Sequence, residues 1–246
     1  MSETKYVIGN WKMNVSSGDL VAFFQGLKKY KFPKMDVQIG FAAPAIYAMG
    51  LGKLQERVWV GAQDVSRFSR GDYTGEISAE MIADCGLDFC LVGQRERRLF
   101  LGETDEIINQ KLLNLQEYEV LPILFVGDSK EEREKNVSLK CVLDRLHTAL
   151  KGVKEGEIIV AYEPWFDSSE LKVSHKFIGQ MVDAIKKELG IIFPSNEHKV
   201  LYSGEVTLSN STQLLALANL DGVVLNECVD SEKFAKIVSS LFMEVK

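Results

Sequence analysis

Long apolar runs are missing from this 246-residue sequence, and so is any excess of positive charge. No apolar run approaches the ~20 residues that a transmembrane helix needs, so the sequence predicts no membrane span. Lys and Arg together number 29 and Asp and Glu 35, which gives a formal net charge of -6. A sequence-independent nucleic-acid-binding protein needs a net basic face to displace counterions from phosphates. We therefore expect neither a membrane nor a nucleic acid as a partner.

Paired cysteines and secretory features are lacking as well. The four cysteines, Cys85, Cys90, Cys141 and Cys228, form no CxxC pair. The N-terminus has no basic region followed by an apolar stretch, so no signal peptide is expected. In a chain of this size such cysteines are typical of reduced thiols. These features predict a cytoplasmic protein.

Short apolar runs alternate with longer helical patterns along the chain. Each run is rich in Val, Ile, Leu or Phe and lacks polar alternation, which is typical of strands buried on both faces. Between the runs, apolar residues recur at three- and four-residue spacing, as at Leu20, Phe23, Phe24 and Leu27. The eight predicted strands are Tyr6–Asn10, Val37–Ala42, Val58–Ala62, Phe89–Val92, Leu121–Val126, Ile158–Tyr162, Lys199–Tyr202 and Gly222–Leu225.

Eight strand–helix units in about 250 residues are typical of a single (β/α)₈ barrel, and we predict one such domain over residues 1–246. A doubly wound open sheet is the competing architecture, and periodicity alone does not separate the two. A dinucleotide-binding sheet has GxGxxG after its first strand, where this chain has Gly9-Asn-Trp-Lys-Met-Asn14. No P-loop motif is present either. The charged segment Asp128–Lys135 is expected to form the solvated first turns of a helix.

The polar residues that follow each predicted strand are the candidates for chemistry, because barrel active sites lie at the carboxyl ends of the strands. Lys12 and Glu163 are the candidate acid–base groups. The alternative for each of them is a simple ion pair with a neighbour. The strand-end residues are Asn10 and Lys12, then Gln94-Arg95-Glu96-Arg97-Arg98, then Glu163, then Ser203-Gly204-Glu205, and finally Asn226-Glu227.

Six stretches of the chain form long, ordered motifs whose spacing follows the predicted strands and their exits. They are Ile8-Gly-Asn-Trp-Lys-Met-Asn14, Gly61-Ala-Gln-Asp-Val-Ser66, Gly71-Asp-Tyr-Thr-Gly-Glu-Ile-Ser-Ala79, Val92-Gly-Gln-Arg-Glu-Arg-Arg98, Pro122-Ile-Leu-Phe-Val-Gly127 and Ala161-Tyr-Glu-Pro164.

Together these stretches resemble the triosephosphate isomerase family from end to end of the chain. The resemblance implies a homodimeric TIM barrel without a metal or an organic cofactor. In that family a glutamate moves protons between two carbons of a phosphorylated triose, while a lysine and a neutral histidine polarise the carbonyl oxygen. By position, Glu163 corresponds to the glutamate and Lys12 to the lysine, with Asn10 beside it. Glu96 corresponds to the glutamate that follows the family's histidine–serine pair.

The same resemblance predicts a dimer. The segment Gln63–Glu76 is similar to the family's interdigitating loop, and Thr74 corresponds to the threonine that reaches the partner's site. Phe68 and Tyr73 are candidates for its apolar contacts. A monomer with an ordinary surface loop is the alternative.

The departures from the family cluster in the site. Gln94 replaces the histidine and Arg95 the adjacent serine. A glutamine amide donates hydrogen bonds but cannot shuttle a proton near neutral pH. If Arg95 turns inward, it could pair with Glu163 and make that carboxylate a weaker base. The family's closing loop, or lid, has a tip that contains glycine. The corresponding stretch of this sequence, from Trp165 to Lys172, has no glycine.

The phosphate-binding loops depart as well. The family has two glycines and a serine after strand seven, where this sequence has Ser203, Gly204 and Glu205. An acid therefore takes the place of the phosphate-binding serine. Asn226 and Glu227 replace a glycine pair. Like charges about 4 Å apart cost on the order of 4 kcal/mol at an effective dielectric of 20, so carboxylates here oppose phosphate binding.

From these departures we expect a degenerate, pseudoenzyme-like homologue with little or no isomerase activity, and an unidentified small-molecule ligand. Two alternatives stay open. One is a working glycolytic triosephosphate isomerase. The other is an enzyme that enolises a non-phosphorylated substrate with Lys12 and Glu163.

Overall fold

Eight parallel strands close into one barrel in chain order, with β1 paired to both β2 and β8. The computed structural model describes residues 4–30, 37–51, 58–167, 169–226 and 228–240. Closure rules out the doubly wound open sheet and confirms the predicted (β/α)₈ barrel. The strands are β1 (Lys5–Asn10), β2 (Val37–Ala43), β3 (Val58–Ala62), β4 (Phe89–Val92), β5 (Leu121–Val126), β6 (Ile159–Tyr162), β7 (Lys199–Tyr202) and β8 (Gly222–Leu225).

The strand predictions are confirmed to within one residue at each end. β1 begins one residue earlier than predicted, β2 ends one residue later, and β6 begins one residue later. Strands buried on both faces give a sharp signal, because their apolar runs stop where the backbone leaves the sheet.

Helices follow the strands, and most begin at a residue whose side chain accepts a backbone hydrogen bond. The Thr104 hydroxyl, for example, accepts from the Ile107 N–H. The described helices are α1 (Ser17–Leu27), α2 (Ala45–Leu51), α3 (Ala79–Asp84), α4 (Arg95–Leu101), α5 (Asp105–Glu117), α6 (Lys130–Glu134), α7 (Ser138–Ala149), α8 (His175–Ile192), α9 (Ser211–Leu215) and α10 (Ser231–Ser240).

The core has two layers because successive strand residues point to opposite faces. In β1, Val7 packs with the layer between barrel and helices, and Ile8 packs with a second cluster. That second cluster fills the barrel interior, which is therefore a packed core and not a pore. Side chains that could take part in a reaction therefore lie at the mouth of the barrel, which is the end formed by the carboxyl ends of the strands. The interior cluster comprises Ile8, Ala42, Phe89, Leu91, Ile123, Phe125, Ile159, Ala161, Leu201 and Val224.

The segment Asp128–Lys135 was expected to be solvated, and for Asp128 this expectation is wrong. Asp128 is fully buried at the exit of β5 and is bound by the guanidinium of Arg133 at 2.8 Å. The Tyr162 hydroxyl donates to it at 2.7 Å. The carboxylate belongs to a closed network of hydrogen bonds, and pairing is what allows a charge to be buried. Composition alone does not reveal a partner five residues along the chain.

All four cysteines are unpaired thiols, as predicted. Within the described ranges, no helix has both the length and the apolar character required to cross a membrane.

Candidate active site

A cavity of about 340 Å³ opens at the carboxyl ends of the strands. A larger cavity, of about 430 Å³, lies beside the first residues of β5 and β6, at the opposite end of the barrel. Active sites of parallel barrels form at the carboxyl ends, so the smaller cavity is the candidate. The predicted site residues that line it are Lys12, Arg95, Ser203, Gly204, Glu205 and Asn226.

The exit of β1 is held by one glutamine. The Gln63 Nε2 lies 2.9 Å from the Lys12 carbonyl oxygen and 3.3 Å from Asn10 Oδ1. Asn10 Oδ1 also accepts from the Lys12 N–H at 3.1 Å. These bonds hold Lys12 at a φ of 49°, which non-glycine residues adopt at a cost in energy. The backbone is strained so that the Lys12 side chain lies at the mouth.

The Lys12 ammonium forms an ion pair with Glu96. Both side chains are partly exposed, at 23% and 32%. Burial opposes ionisation of Glu96, but the hydrogen bond and charge of Lys12 outweigh it and hold the pKa of Glu96 below its ordinary value. Lys12 thus makes the ion pair that the simpler alternative predicted, and it still lines the cavity.

Glu163 is the most perturbed carboxyl group of the mouth. It is 1% exposed, and its two oxygens accept from the Arg95 backbone N–H at 2.8 Å and from the Ser203 hydroxyl at 3.3 Å. Burial, and secondly the charge of Glu96, raise the pKa of Glu163 to about 7, although the Arg95 N–H and the charge of Lys12 oppose the rise. A carboxyl group with this pKa is suited to accept a proton near neutral pH.

The backbone at Glu163 is fixed by the neighbouring strand exit. Its N–H donates to the Val126 carbonyl oxygen at 2.8 Å. A Cβ at Gly127 would lie only 1.7 Å from the Glu163 carbonyl oxygen, so only glycine fits there. The position of Glu163 therefore depends on this close approach between the exits of β5 and β6.

Gln94 is buried, and its amide is already engaged. Its Nε2 donates to the Gln63 carbonyl oxygen at 2.7 Å. Its Oε1 is buried without a hydrogen-bond partner among the residues described. The amide therefore has an acceptor oxygen without a described partner, and Gln94 lies beneath the cavity, not among the residues that line it.

Arg95 does not act on Glu163 in the way expected from the sequence. Its backbone N–H contacts the carboxylate, while its guanidinium turns toward the lid and bonds the Phe166 carbonyl oxygen at 3.3 Å and Asp167 at 3.0 Å. The condition for a weaker base, an Arg95 guanidinium turned onto Glu163, is not met; the arginine charge lowers the pKa of Glu163, but burial raises it more. Arg95 instead links the β4 exit to the lid.

The lid is also tied to the β5 exit. The Trp165 N–H donates to the Asp128 carbonyl oxygen at 2.9 Å. Residue 168 lies outside the described residues. Beyond it, Glu170 pairs with Lys130 at 3.5 Å. The lid thus lacks a glycine and is connected to the barrel through charged side chains.

The exits of β7 and β8 carry the replaced glycines. Ser203 is buried, Glu205 is exposed at the cavity wall, and the Asn226 Nδ2 donates to the Ser203 hydroxyl at 3.3 Å. Glu227 lies outside the described residues. One carboxylate, Glu205, therefore faces the mouth with freedom to turn into solvent.

Sequence reasoning missed two residues of the site. Lys233, in the first turn of α10, lines the cavity. The sequence could have indicated this, because Lys233 follows Asn226 by only seven residues. A helix that begins so soon after the strand exit places its first turn at the mouth. Gln63 was assigned only to the dimer loop, yet it connects the exits of β1 and β4 through Asn10 and Gln94.

Thr74, predicted to reach a partner subunit, lies in an exposed segment away from the cavity. Phe68 and Tyr73 stack on each other with ring centroids 3.8 Å apart.

The fold and the mouth define a (β/α)₈ barrel with a lysine and a buried glutamate at the strand exits. The family model described as triosephosphate isomerase matches residues 5–241. The chain belongs to the triosephosphate isomerase family.

Curated relatives are similar over nearly their whole length. The triosephosphate isomerase of Neisseria meningitidis is 36% identical, with 98% of each chain covered. That of Marinobacter nauticus is 35% identical over 96% of this chain and 97% of its own. That of Mycoplasmoides gallisepticum is 31% identical over 97% of this chain and 99% of its own.

These comparisons correct the expectation of a degenerate homologue with little or no activity. Relatives with 28–36% identity carry the enzyme's name, and the described part of the mouth has no disrupted base. The expectation rested on residue types and left two side-chain directions open. In the structure the Arg95 guanidinium bonds Asp167, and Glu205 is exposed.

Proposed function

We propose that the protein interconverts glyceraldehyde 3-phosphate and dihydroxyacetone phosphate. The observation that carries the proposal is Glu163, a buried carboxyl group with a pKa raised to about 7 next to a cavity lined by Lys12. The names of the curated relatives support the same reaction.

Glu163 is the proton carrier in this proposal. Its carboxylate removes a proton from the carbon next to the substrate carbonyl, and the electron pair moves onto the carbonyl oxygen to give an enediolate. The hydroxyl proton then passes directly from the one enediolate oxygen to the other. The carboxylic acid returns a proton to the former carbonyl carbon as the deprotonated oxygen becomes the new carbonyl, which completes the isomerisation. A base with a pKa near the working pH suits both steps.

Lys12 stabilises the negative charge that develops on the enediolate oxygen. A fixed donor of this kind contributes about 10²–10³ in rate. Gln94 supplies its free amide N–H to an oxygen of the substrate as a neutral donor. Because an amide does not titrate near neutral pH, Gln94 does not carry the proton.

The phosphate group is bound mainly by side chains. Lys233 and Arg95 line the cavity together with Lys12. The Lys233 ammonium forms no ion pair with any described residue, so it is available to an anion. These cations offset the repulsion from Glu205 and take over from the glycine backbone amides that the family uses there.

A coupled assay on glyceraldehyde 3-phosphate tests the proposal, with Glu163→Gln as the variant without a base. We expect turnover in the parent protein and a loss of about 10²–10⁴-fold in the variant. Equal rates in the two proteins would contradict it.

We also infer a homodimer formed through Gln63–Glu76. Tyr73 is 42% exposed and Phe100 is 78% exposed, and a partner would cover such apolar surface. Light scattering after size exclusion should give two chain masses, and a single chain mass would contradict the dimer. The four free cysteines are compatible with the expected cytoplasmic location.

A further inference from the structure

Ser203 contacts the candidate base directly. The residue is 1% exposed at the exit of β7. Its hydroxyl lies 3.3 Å from Glu163 Oε1 and 3.3 Å from Asn226 Nδ2. The place of Ser203 in the sequence predicts substrate binding, but these contacts connect the residue to Glu163.

The hydrogens fix the direction of this chain of contacts. A serine hydroxyl has one hydrogen to donate and two lone pairs to accept with. The Asn226 N–H donates to Ser203 Oγ, which leaves the hydroxyl hydrogen free to point at Glu163 Oε1. The other carboxylate oxygen already accepts from the Arg95 N–H at 2.8 Å. Each oxygen of Glu163 then has one donor, and the plane of the carboxylate is set.

We propose that Ser203 is a positioning residue whose hydroxyl, oriented by Asn226, holds the Glu163 carboxylate in the ionised form ready to accept a proton. The proposal rests on the role of Glu163 as the base in the proposed function. Ser203 and Asn226 both stand where the family has glycines. The series of hydrogen bonds from Asn226 through Ser203 to Glu163, called the relay below, therefore arises from residues in which this protein differs from the family.

The surroundings of Glu163 explain why a second donor matters. Glu96 lies near enough to act on it with a like charge, and Lys12 and Arg95 act on it with opposite charges. Burial raises the pKa of Glu163 more than these cations lower it. A hydroxyl that donates to the carboxylate stabilises the ionised form and so opposes burial. At 3.3 Å the bond is long for a hydroxyl donor, so its effect is moderate.

The test is a ¹³C NMR titration of the free protein labelled at the glutamate carboxyl carbons. The Glu163 signal is assigned by its absence in Glu163→Gln. Removing the donor in Ser203→Ala should raise the apparent pKa of Glu163 by about half a unit to one unit. Asn226→Ala should raise it by less, because the serine then loses only its orientation. The control is Ser209→Ala, which removes an exposed hydroxyl from the same loop and should change nothing.

A double variant separates a relay from two independent effects. In the Ser203→Ala background, Asn226→Ala should add no further shift, since its effect passes through the hydroxyl. The acid limb of the kcat/KM profile should move with the NMR shift while KM changes little.

Three results would overturn the relay. A Glu163 pKa unchanged in Ser203→Ala, with only the melting temperature lowered, would mean a purely structural serine. A pKa that falls in Asn226→Ala would mean that the amide is reversed and takes the serine hydrogen from Glu163. Additive shifts in the double variant would mean that the two residues act separately. If Ser203→Ala does not fold, the sign of the Asn226→Ala shift still decides.

The titration requires no turnover, so it distinguishes the two proposals. The predicted shifts in a protein without isomerase activity would keep the relay and reject the proposed function. Turnover without the shifts would do the reverse.

Discussion

The two halves of the barrel mouth are held in different ways. At the exits of β1, β4 and β6, charged groups bond to one another and to backbone N–H groups: Lys12 pairs with Glu96, and the Arg95 N–H donates to Glu163. At the exits of β7 and β8 the glycines are replaced, Glu205 is exposed, and the Ser203 hydroxyl reaches across to Glu163.

This difference separates chemistry from binding. The first half fixes the groups that act on the reacting carbons, so replacements there should change kcat. In the proposed function the second half surrounds the phosphate, so replacements there of groups that are not hydrogen-bonded toward Glu163 should change KM.

Lys12→Met should lower kcat/KM by about 10²–10³-fold, because a fixed cation no longer faces the developing oxyanion. The loss should fall mainly on kcat. Steady-state kinetics on glyceraldehyde 3-phosphate measures it. The matched control is Lys130→Met, which removes an exposed ammonium that pairs with the lid residue Glu170 and should leave kcat within about twofold, given the small worth of exposed pairs. Equal losses in both variants would contradict the division.

The pH dependence should follow Glu163. The base acts only when ionised, and its pKa is raised to about 7 from an ordinary 4.5. The fraction ionised therefore falls as the pH drops below about 7, and kcat/KM should fall about tenfold per pH unit there. Rates measured from pH 5 to pH 9 check this. A profile that stays flat down to pH 5 would mean that Glu163 has an ordinary pKa or is not the base.

The smallest effects are expected in the phosphate half. Lys233→Ala should raise KM for the phosphorylated substrate by about fivefold, and Glu205→Gln should lower KM by a similar factor. These sizes are expected for one side-chain charge about 4 Å from the phosphate in a site open to solvent. The control is Lys236→Ala, on the same helix but paired with Glu232. Changes in kcat instead of KM, or no change in either variant, would argue against this placement of the phosphate.

The fold was predictable because the strands are short apolar runs, so boundaries such as those of β4 and β5 followed from composition. The membership of Lys12 and Glu163 in one site followed from the barrel rule for strand ends. Side-chain direction did not follow. Whether Arg95 faced Glu163 or Asp167 depended on the lid backbone, which the sequence does not specify.

The prediction of lost activity is contradicted by the relatives that carry the enzyme's name. It rested on residue types at Gln94, Arg95, the lid and the phosphate-binding loops, and residue type alone does not show that Ser203 bonds to Glu163. The burial of Asp128 was missed because the network with Arg133 and Tyr162 forms only when β5 and β6 are neighbours.

The most direct test of the central claim is isomerisation of glyceraldehyde 3-phosphate in D₂O, followed by ¹H NMR. If Glu163 carries the proton between the two carbons, the proton held on its carboxyl group exchanges with solvent deuterium. Deuterium then appears on carbon in the dihydroxyacetone phosphate formed. Glu163→Gln should abolish both turnover and deuterium incorporation. A parent protein that incorporates no more deuterium than this variant would contradict the account.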